Sequence, residues 1–268
     1  MNTTAKILTF DSGLGGLTVH AEILRACPGA DHVYVADDAA FPYGHLGEEA
    51  LVDRVMALMG ELIAAHRPNI VVIACNTAST LVLPHLRAAW PQLPFVGTVP
   101  AVKPAAEQSH THLISVLATP GTVARDYTRD LVRAYAAHCE VTLVGSQHLA
   151  TLAEAYMRGE MVDDLQVAAE IMPCFVERDG QRTDHVVLAC THYPLLLDAF
   201  RQLAPWSVDW VDPAPAIARR VQHVLGEHSF SFAHHERMRE GFAHFTSGAP
   251  IPFALTNALR ARHLAPAG

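Results

Sequence analysis

Charge and lysine are what this 268-residue chain is short of: charged side chains make up 17% of it, and only Lys6 and Lys103 are lysines. A pyridoxal phosphate enzyme needs a lysine for its Schiff base. Neither Lys6, near the start, nor Lys103, immediately before Pro104, stands at a strand-end position suited to one. No basic cluster is present and the net charge is −8, which argues against a nucleic-acid surface, where phosphates call for gathered Lys and Arg. No apolar run is long and clean enough for a membrane span: Pro68 to Leu86, a stretch free of Asp, Glu, Lys and Arg that no other exceeds in length, is broken by Asn69, Asn76, Ser79, Pro84 and His85. The start, MNTTAKILTF, lacks the order of a secretory signal, so a cytoplasmic location is expected. The five cysteines (Cys27, Cys75, Cys139, Cys174, Cys190) are odd in number and form no CxxC pair, which suits reduced thiols better than disulfides. The seventeen histidines show no closed zinc spacing; most of them, including His110, His112, His234 and His235, are expected at the surface, and no metal is expected. The glycine run after the first strand gives no dinucleotide fingerprint, because Thr18 stands where a third glycine is required.

What the chain has is a repeated ending. Two Val/Ile/Leu runs, VVIACNTAS and VVLACTHYP, stop at an alanine and then a cysteine, Cys75 in one and Cys190 in the other. Such runs read as buried parallel strands that deliver their last side chains to the C-terminal edge of a sheet, where open α/β sheets bind ligands. Strands are expected at Ile7–Phe10, His32–Ala36 and a run ending at Cys75, with helices up to His66 and over Leu81–Trp90. After a proline-rich stretch, FVGTVPAVKPA, read as a crossover, the same order restarts. It brings strands His112–Leu117, Glu140–Val144 and His185–Ala189, and a helix Leu149–Arg158. A last strand, Ser207–Val211, is assigned to a segment returning to the first half. The expected fold is α/β: two similar parallel-sheet α/β domains in a pseudo-twofold arrangement with the active site in the cleft between them. The first domain takes residues 1–98 and 207–268, the second 99–206.

Facing thiols suit proton transfer across a flat carbanion, each thiol activated at a strand-to-helix turn by helix N-terminal N–H groups. The bland alternative for either cysteine is a small core hydrophobe, and the duplicated context tips the balance; Cys27, Cys139 and Cys174 lack that context. Asp11 and His192 could be no more than a helix cap and a satisfied core histidine, but both fall at strand ends beside the inferred cleft, where each could tune one thiol, and that position favours the functional reading. Ser12, Tyr43, Asn76, Thr77, Thr119, Thr122 and Thr191 form a set of uncharged donors at turns, suited to holding carboxylates without arginine and equally to ordinary capping. Gly13 to Gly16 read as room for close packing or for positive φ.

DSGLGGLTV, FPYG, ACNTAS, ATPGT and LACTHYPLL, in this order, resemble the glutamate racemases of the cofactor-independent aspartate/glutamate racemase superfamily, over nearly the whole chain. The CTH form of the second cysteine motif resembles the glutamate enzymes more than the aspartate racemases. The resemblance implies Cys75 and Cys190 as two catalytic bases assisted by Asp11, Glu154 and His192. It also implies substrate contacts from Asp11, Ser12, Pro42, Tyr43, Gly44, Cys75, Asn76, Thr77, Thr119, Thr122, Cys190, Thr191 and His192. Spacing alone would leave Glu154 as a solvated helix residue. The implied activity is racemisation of L-glutamate to D-glutamate for peptidoglycan, without cofactor, by a homodimer with no membrane or nucleic-acid partner. The chain also lacks an N-terminal extension of the kind linked to activation by a cell-wall precursor, and no such activation is expected. Ser146 and Gln147 stand where a Cys-Pro pair is common, LACTH replaces LGCTH, and His45 and Leu46 follow FPYG. The alternatives are another amino-acid racemase of the superfamily, or a protein that binds an amino acid or a partner without catalysis.

Overall fold

The structure is a computed structural model that describes residues 4–228, 230 and 239–267; His234 and His235 lie outside them. In the first half, β1 (Lys6–Asp11), α1 (Leu17–Ala26), β2 (Asp31–Ala36), α2 (Glu48–His66), β3 (Ile70–Ile73), α3 (Asn76–Ala89) and β4 (Phe95–Gly97) alternate. The second half runs α4 (Val102–Gln108), β5 (Leu113–Ala118), α5 (Pro120–Ala124), α6 (Asp126–Tyr135), β6 (Glu140–Gly145), α7 (Leu149–Met157) and α8 (Asp164–Ile171). It continues through a short hairpin, β7 (Glu177–Arg178) and β8 (Gln181–Arg182), to β9 (His185–Leu188), α9 (Leu197–Leu203) and β10 (Asp209–Val211). The chain closes with α10 (Ala214–Glu227), β11 (Gly241–Phe245), α11 (Phe253–Arg260) and β12 (Leu264–Pro266).

Two parallel sheets result. One has the order β12-β11-β2-β1-β3-β4 and the other β10-β9-β5-β6, every neighbouring pair in both being parallel. The strands are continuous apolar runs because both faces are covered. In β1, Ile7 joins the core shared with α1 and α10, while Leu8 and Phe10 join the core under α2 and α3. In β9, Val186 and Leu188 pack with α7 and α8, and Val187 packs with α4. Alternating side chains of a strand leave on opposite faces, so a doubly covered strand shows no polar alternation.

Three expectations change. The proline-rich stretch after Pro94 is more than a crossover: Phe95–Gly97 adds a strand to the first sheet and Val102–Gln108 forms a helix with Pro104 in its first turn, where its missing N–H costs nothing. Helix α3 starts at Asn76, five residues before the expected Leu81, directly behind Cys75. The strand expected to open the return segment pairs with β9 in the second sheet, so Asp209–Val211 belongs with the second half, and the return starts at α10, which packs on α1. Residues 207–211 are thereby moved out of the first domain, because the backbone of Asp209, Trp210 and Val211 finds its partners along His185, Val186 and Val187. His110 and His112 are exposed as expected, while His20, His32, His185 and His192 are buried. No described helix is long and apolar enough to cross a membrane.

Asp184 ties the start of the second sheet together. Its carboxylate accepts from Ser109 Oγ at 2.7 Å, from the amides of His110 and Thr111 at 2.7 and 3.1 Å, and contacts His185 Nδ1 at 2.9 Å. Burial would raise its pKa, but these bonds outweigh it and lower the pKa from 3.8 to about 2. A carboxylate with a depressed folded-state pKa stabilises the fold above its unfolded value and loses that contribution as pH falls through the folded one. The stability difference between the natural protein and Asp184→Asn, measured by urea unfolding, is therefore expected to be full above about pH 4 and to shrink as pH falls toward 2. A difference constant over that range would remove the charge from the account.

Candidate active site

Cys75 and Cys190 each stand just past the C-terminal end of a central strand, β3 and β9, and are 5% and 7% exposed. Cys75 is the N-cap residue of α3; after Cys190 the chain enters a tight turn, Tyr193–Leu196, before α9. Burial pushes the Cys75 thiol well up, and the charge of Asp11 adds to it; the Ala78 amide and the Ser12 hydroxyl, 3.7 Å from the sulfur, work the other way without reversing it. Burial thus favours the protonated thiol at Cys75. Cys190 is the last and smallest of the groups whose field acts on Cys75.

A different environment surrounds Cys190. His192 Nδ1 lies 3.9 Å from its sulfur and His192 Nε2 lies 3.0 Å from Glu154 Oε1. Burial opposes a charge on this ring, but Cys190, Glu154 and Asp11 outweigh it and hold His192 well above its ordinary pKa. Burial likewise opposes a charge on Glu154, and the bond and field of His192, the Leu14 amide at 2.5 Å and Arg158 hold its carboxyl below the usual range. The pair is thus imidazolium and carboxylate. The Gly15 amide lies 3.2 Å from the same ring nitrogen, but that nitrogen carries a proton turned to the carboxylate, so the amide adds no bond there. Asp11 behaves differently: burial raises its pKa, against the field of His192 and the amides of Gly16, at 2.7 Å, and Ser12.

The glycine run owes its composition to this pair. A Cβ on Gly13 would strike Glu154 Oε1, and one on Gly15 would strike the His192 ring and come 2.6 Å from the His192 backbone nitrogen. Neither glycine has positive φ, so close approach, not backbone freedom, is the requirement. Leu14 N to Glu154 and Phe41 against the His192 ring, 5.3 Å between centroids, complete the contact between the halves.

The uncharged donors divide. Thr77 Oγ1, from the first half, lies 3.3 Å from Thr119 Oγ1 and 3.5 Å from Thr122 Oγ1, and those two are 3.0 Å apart, a hydroxyl cluster that spans the cleft. Both polar side-chain atoms of Asn76 and Asp11 Oδ1 are buried without a partner. Pro42 precedes the tight turn Tyr43–His45 and Gly44 is its middle residue. With Thr119 they line a cavity of about 250 Å³ to which three of the departures from the family pattern, His45, Ser146 and Gln147, also contribute. Thr191 is buried, its carbonyl 3.2 Å from Thr18 Oγ1. Tyr43 does not stand out on a loop as its sequence suggests. It is 1% exposed and its hydroxyl donates to Asp37 at 2.6 Å, so its side chain is turned into the protein.

That anchor was not foreseen. Asp37 also takes Arg54 at 2.6 Å through both its oxygens and Thr246 at 2.6 Å, and so locks the FPYG turn to α2 and to the returning segment. Its place directly after β2, much as Asp11 closes β1, was the available signal. Arg125, which holds the Thr77 carbonyl at 2.5 Å and also bonds Thr80 Oγ1, and Arg158, which bridges Glu154 and Asp38 at 3.4 and 3.9 Å, carried none. Both lysines are remote: Lys6 Nζ donates to the His66 carbonyl at 3.0 Å at the opposite end of β1, and Lys103 is exposed beside Glu107.

The sequence profile of the Asp/Glu/hydantoin racemases matches residues 14–221. The chain belongs to that family. Among relatives, the glutamate racemase of Brucella canis is 58% identical over 91% of this chain and 87% of its own, and that of Brucella anthropi is 62% identical over 82% and 79%. Among solved structures, Escherichia coli glutamate racemase in complex with L-glutamate and the activator UDP-MurNAc-Ala superposes with a TM-score of 0.88 at 35% identity, over 98% of this chain and 97% of the other. The racemase fold and the two-sheet architecture are thus shared across the full length.

Because Gly15 has no room for a methyl group, Gly15→Ala is expected to displace His192 and lower kcat/KM roughly 100-fold, the scale of an ångström-level misplacement. Far-ultraviolet circular dichroism should be unchanged, and a variant of full activity would show that the contact is not needed.

Proposed function

We propose that this isomerase interconverts L- and D-glutamate by two-base proton transfer between Cys190 and Cys75, without a cofactor. The observation that carries the reading is the unequal pair of sulfurs, Cys75 held as a neutral thiol and Cys190 beside the His192 cation and its Glu154 counter-ion. Glutamate as substrate rests on the similarity to the Brucella and Escherichia coli enzymes. The remoteness of both lysines from the cleft supports a mechanism with no Schiff base.

In the L-to-D direction, the Cys190 thiolate takes the α-proton while the Cys75 thiol delivers its own proton to the opposite face of the carbanion, inverting the centre. One C–H bond breaks and one forms, and the two sulfurs exchange protonation states. The reverse turnover starts from Cys75. An amino-acid α-proton is weakly acidic, so charge developing on the carboxylate needs preorganised donors and exclusion of water. Asn76 Nδ2 and the Thr77, Thr119 and Thr122 hydroxyls are donors of that kind, and Asp11 Oδ1 can accept from the substrate ammonium. The role of the product in peptidoglycan, a homodimeric state and a cytoplasmic location are part of the same proposal and rest on the resemblance.

Circular dichroism of each glutamate enantiomer with purified, reduced protein and no added cofactor should decay to zero, with aspartate as the parallel control. Cys75→Ser should lower racemisation by at least about 100-fold while leaving deuterium exchange at the α-position of L-glutamate measurable. Full activity in that variant would end the two-thiol mechanism, and decay with aspartate alone would reassign the substrate.

Glu154→Gln removes the anion that favours the His192 cation, so the His192 pKa is expected to fall. The alkaline limb of the kcat profile should then move to lower pH, because the charged ring is lost earlier as pH rises. An unmoved limb would show that another group sets it.

A further inference from the structure

Away from the cleft, β5 and β6 begin side by side, Leu113 opposite Glu140, and the residues just before them are His112 and Cys139. This is the N-terminal edge of the second sheet, the opposite edge from Cys190. His138 precedes Cys139, and one ring nitrogen of each histidine and the Cys139 sulfur all lie within 4.8 Å of one another. Cys139 Sγ is 4.0 Å from His112 Nδ1. The His138 ring is anchored at one nitrogen: its Nε2 lies 3.2 Å from the Ala106 carbonyl at the end of α4, and the Cys139 sulfur lies 3.9 Å from the same oxygen. A carbonyl only accepts, so Nε2 donates to it and Nδ1 is the nitrogen left for a cation. A backbone carbonyl on the other nitrogen is a common way of orienting a metal-binding histidine. His112 sits at φ +57°, a left-handed conformation uncommon for a side-chain-bearing residue, held by the bond from the Glu140 amide to its carbonyl at 2.7 Å. Both histidines are exposed and Cys139 is half-buried, so a cation can reach them.

We propose that His112, His138 and Cys139 form a binding site for a thiophilic divalent cation of the Zn²⁺ class, with water in the fourth position. One thiolate and two imidazoles are a soft donor set that favours zinc over magnesium or calcium, and three protein ligands plus water is the open tetrahedral pattern. With Zn–N near 2.0–2.1 Å and Zn–S near 2.3 Å, the sulfur-to-nitrogen edge of the tetrahedron is about 3.6 Å, so the observed 4.0 Å needs only a small side-chain closure. Cys139 and His112 directly precede neighbouring strands, and His138 is fastened to α4. A bound cation therefore clips the sheet edge to that helix and stabilises the second domain by mass action. None of the three residues belongs to the racemase machinery, and the site is independent of the proposed reaction.

The test uses the full chain carrying Cys75→Ser and Cys190→Ser, so that the cleft thiols cannot bind metal. Zn²⁺ titrated against a chromophoric chelator should be taken up at one equivalent, and Co²⁺ should give a near-ultraviolet thiolate charge-transfer band with the strong visible bands of a tetrahedral site. Adding His138→Ala, or His112→Asn, which keeps a residue tolerant of left-handed φ, should weaken uptake by at least roughly 10–100-fold, the scale for losing even a partner that orients a ligand. Cys139→Ser should abolish the charge-transfer band. No stoichiometric uptake, or uptake and a band indifferent to all three substitutions, would overturn the proposal.

Discussion

Everything at the cleft depends on one contact: the backbone of Gly13, Leu14 and Gly15 pressed against Glu154 and His192. The halves meet there without side chains on the glycines, because no volume remains for a Cβ on either. The Leu14 amide, as a donor to Glu154, helps keep that carboxylate ionised, the carboxylate keeps His192 charged, and His192 faces Cys190. A displacement of the first-half loop by the width of a methyl group would pass through this series to the sulfur. In a water-excluded interior such pairs are strongly coupled, and breaking one leaves a buried charge uncompensated.

The two sulfurs look alike in sequence and are made unlike by their neighbours. Cys75 has a hydroxyl, a buried carboxyl and apolar strand ends around it, which favour the neutral thiol. Cys190 has a cation beside it. The supporting parts are distributed in the same spirit. Asp37 fastens the FPYG turn, Arg125 the first turn of α3, and Arg158 the carboxylate of Glu154, each with residues from distant stretches of chain.

Much of this was legible because the strands are doubly covered and end abruptly. VVIAC and VVLAC announce buried strands whose last residues meet the ligand edge, and Asp11 announces itself by following the first such strand. The start of α3 was misplaced because Asn76 and Thr77 read as loop residues, although a helix can begin with them when the preceding cysteine serves as its N-cap. β4 and α4 were hidden by prolines, which are harmless at a strand start and in a first helical turn. Tyr43 was read outward because FPYG has turn composition, while the hydrogen bond that buries it goes to Asp37.

The sequence by itself determined the alternation of strands and helices, the two cysteine-bearing strand ends and the likeness to glutamate racemases, since periodicity and motifs are local properties of a chain. Only the tertiary structure decided which sheet takes residues 209–211, why Gly13 and Gly15 must be glycine, and that Glu154, mid-helix and otherwise unremarkable, is the buried counter-ion of His192. Pairing partners, steric room and the field at a titratable group are set by residues far apart in the chain, and no local pattern records them.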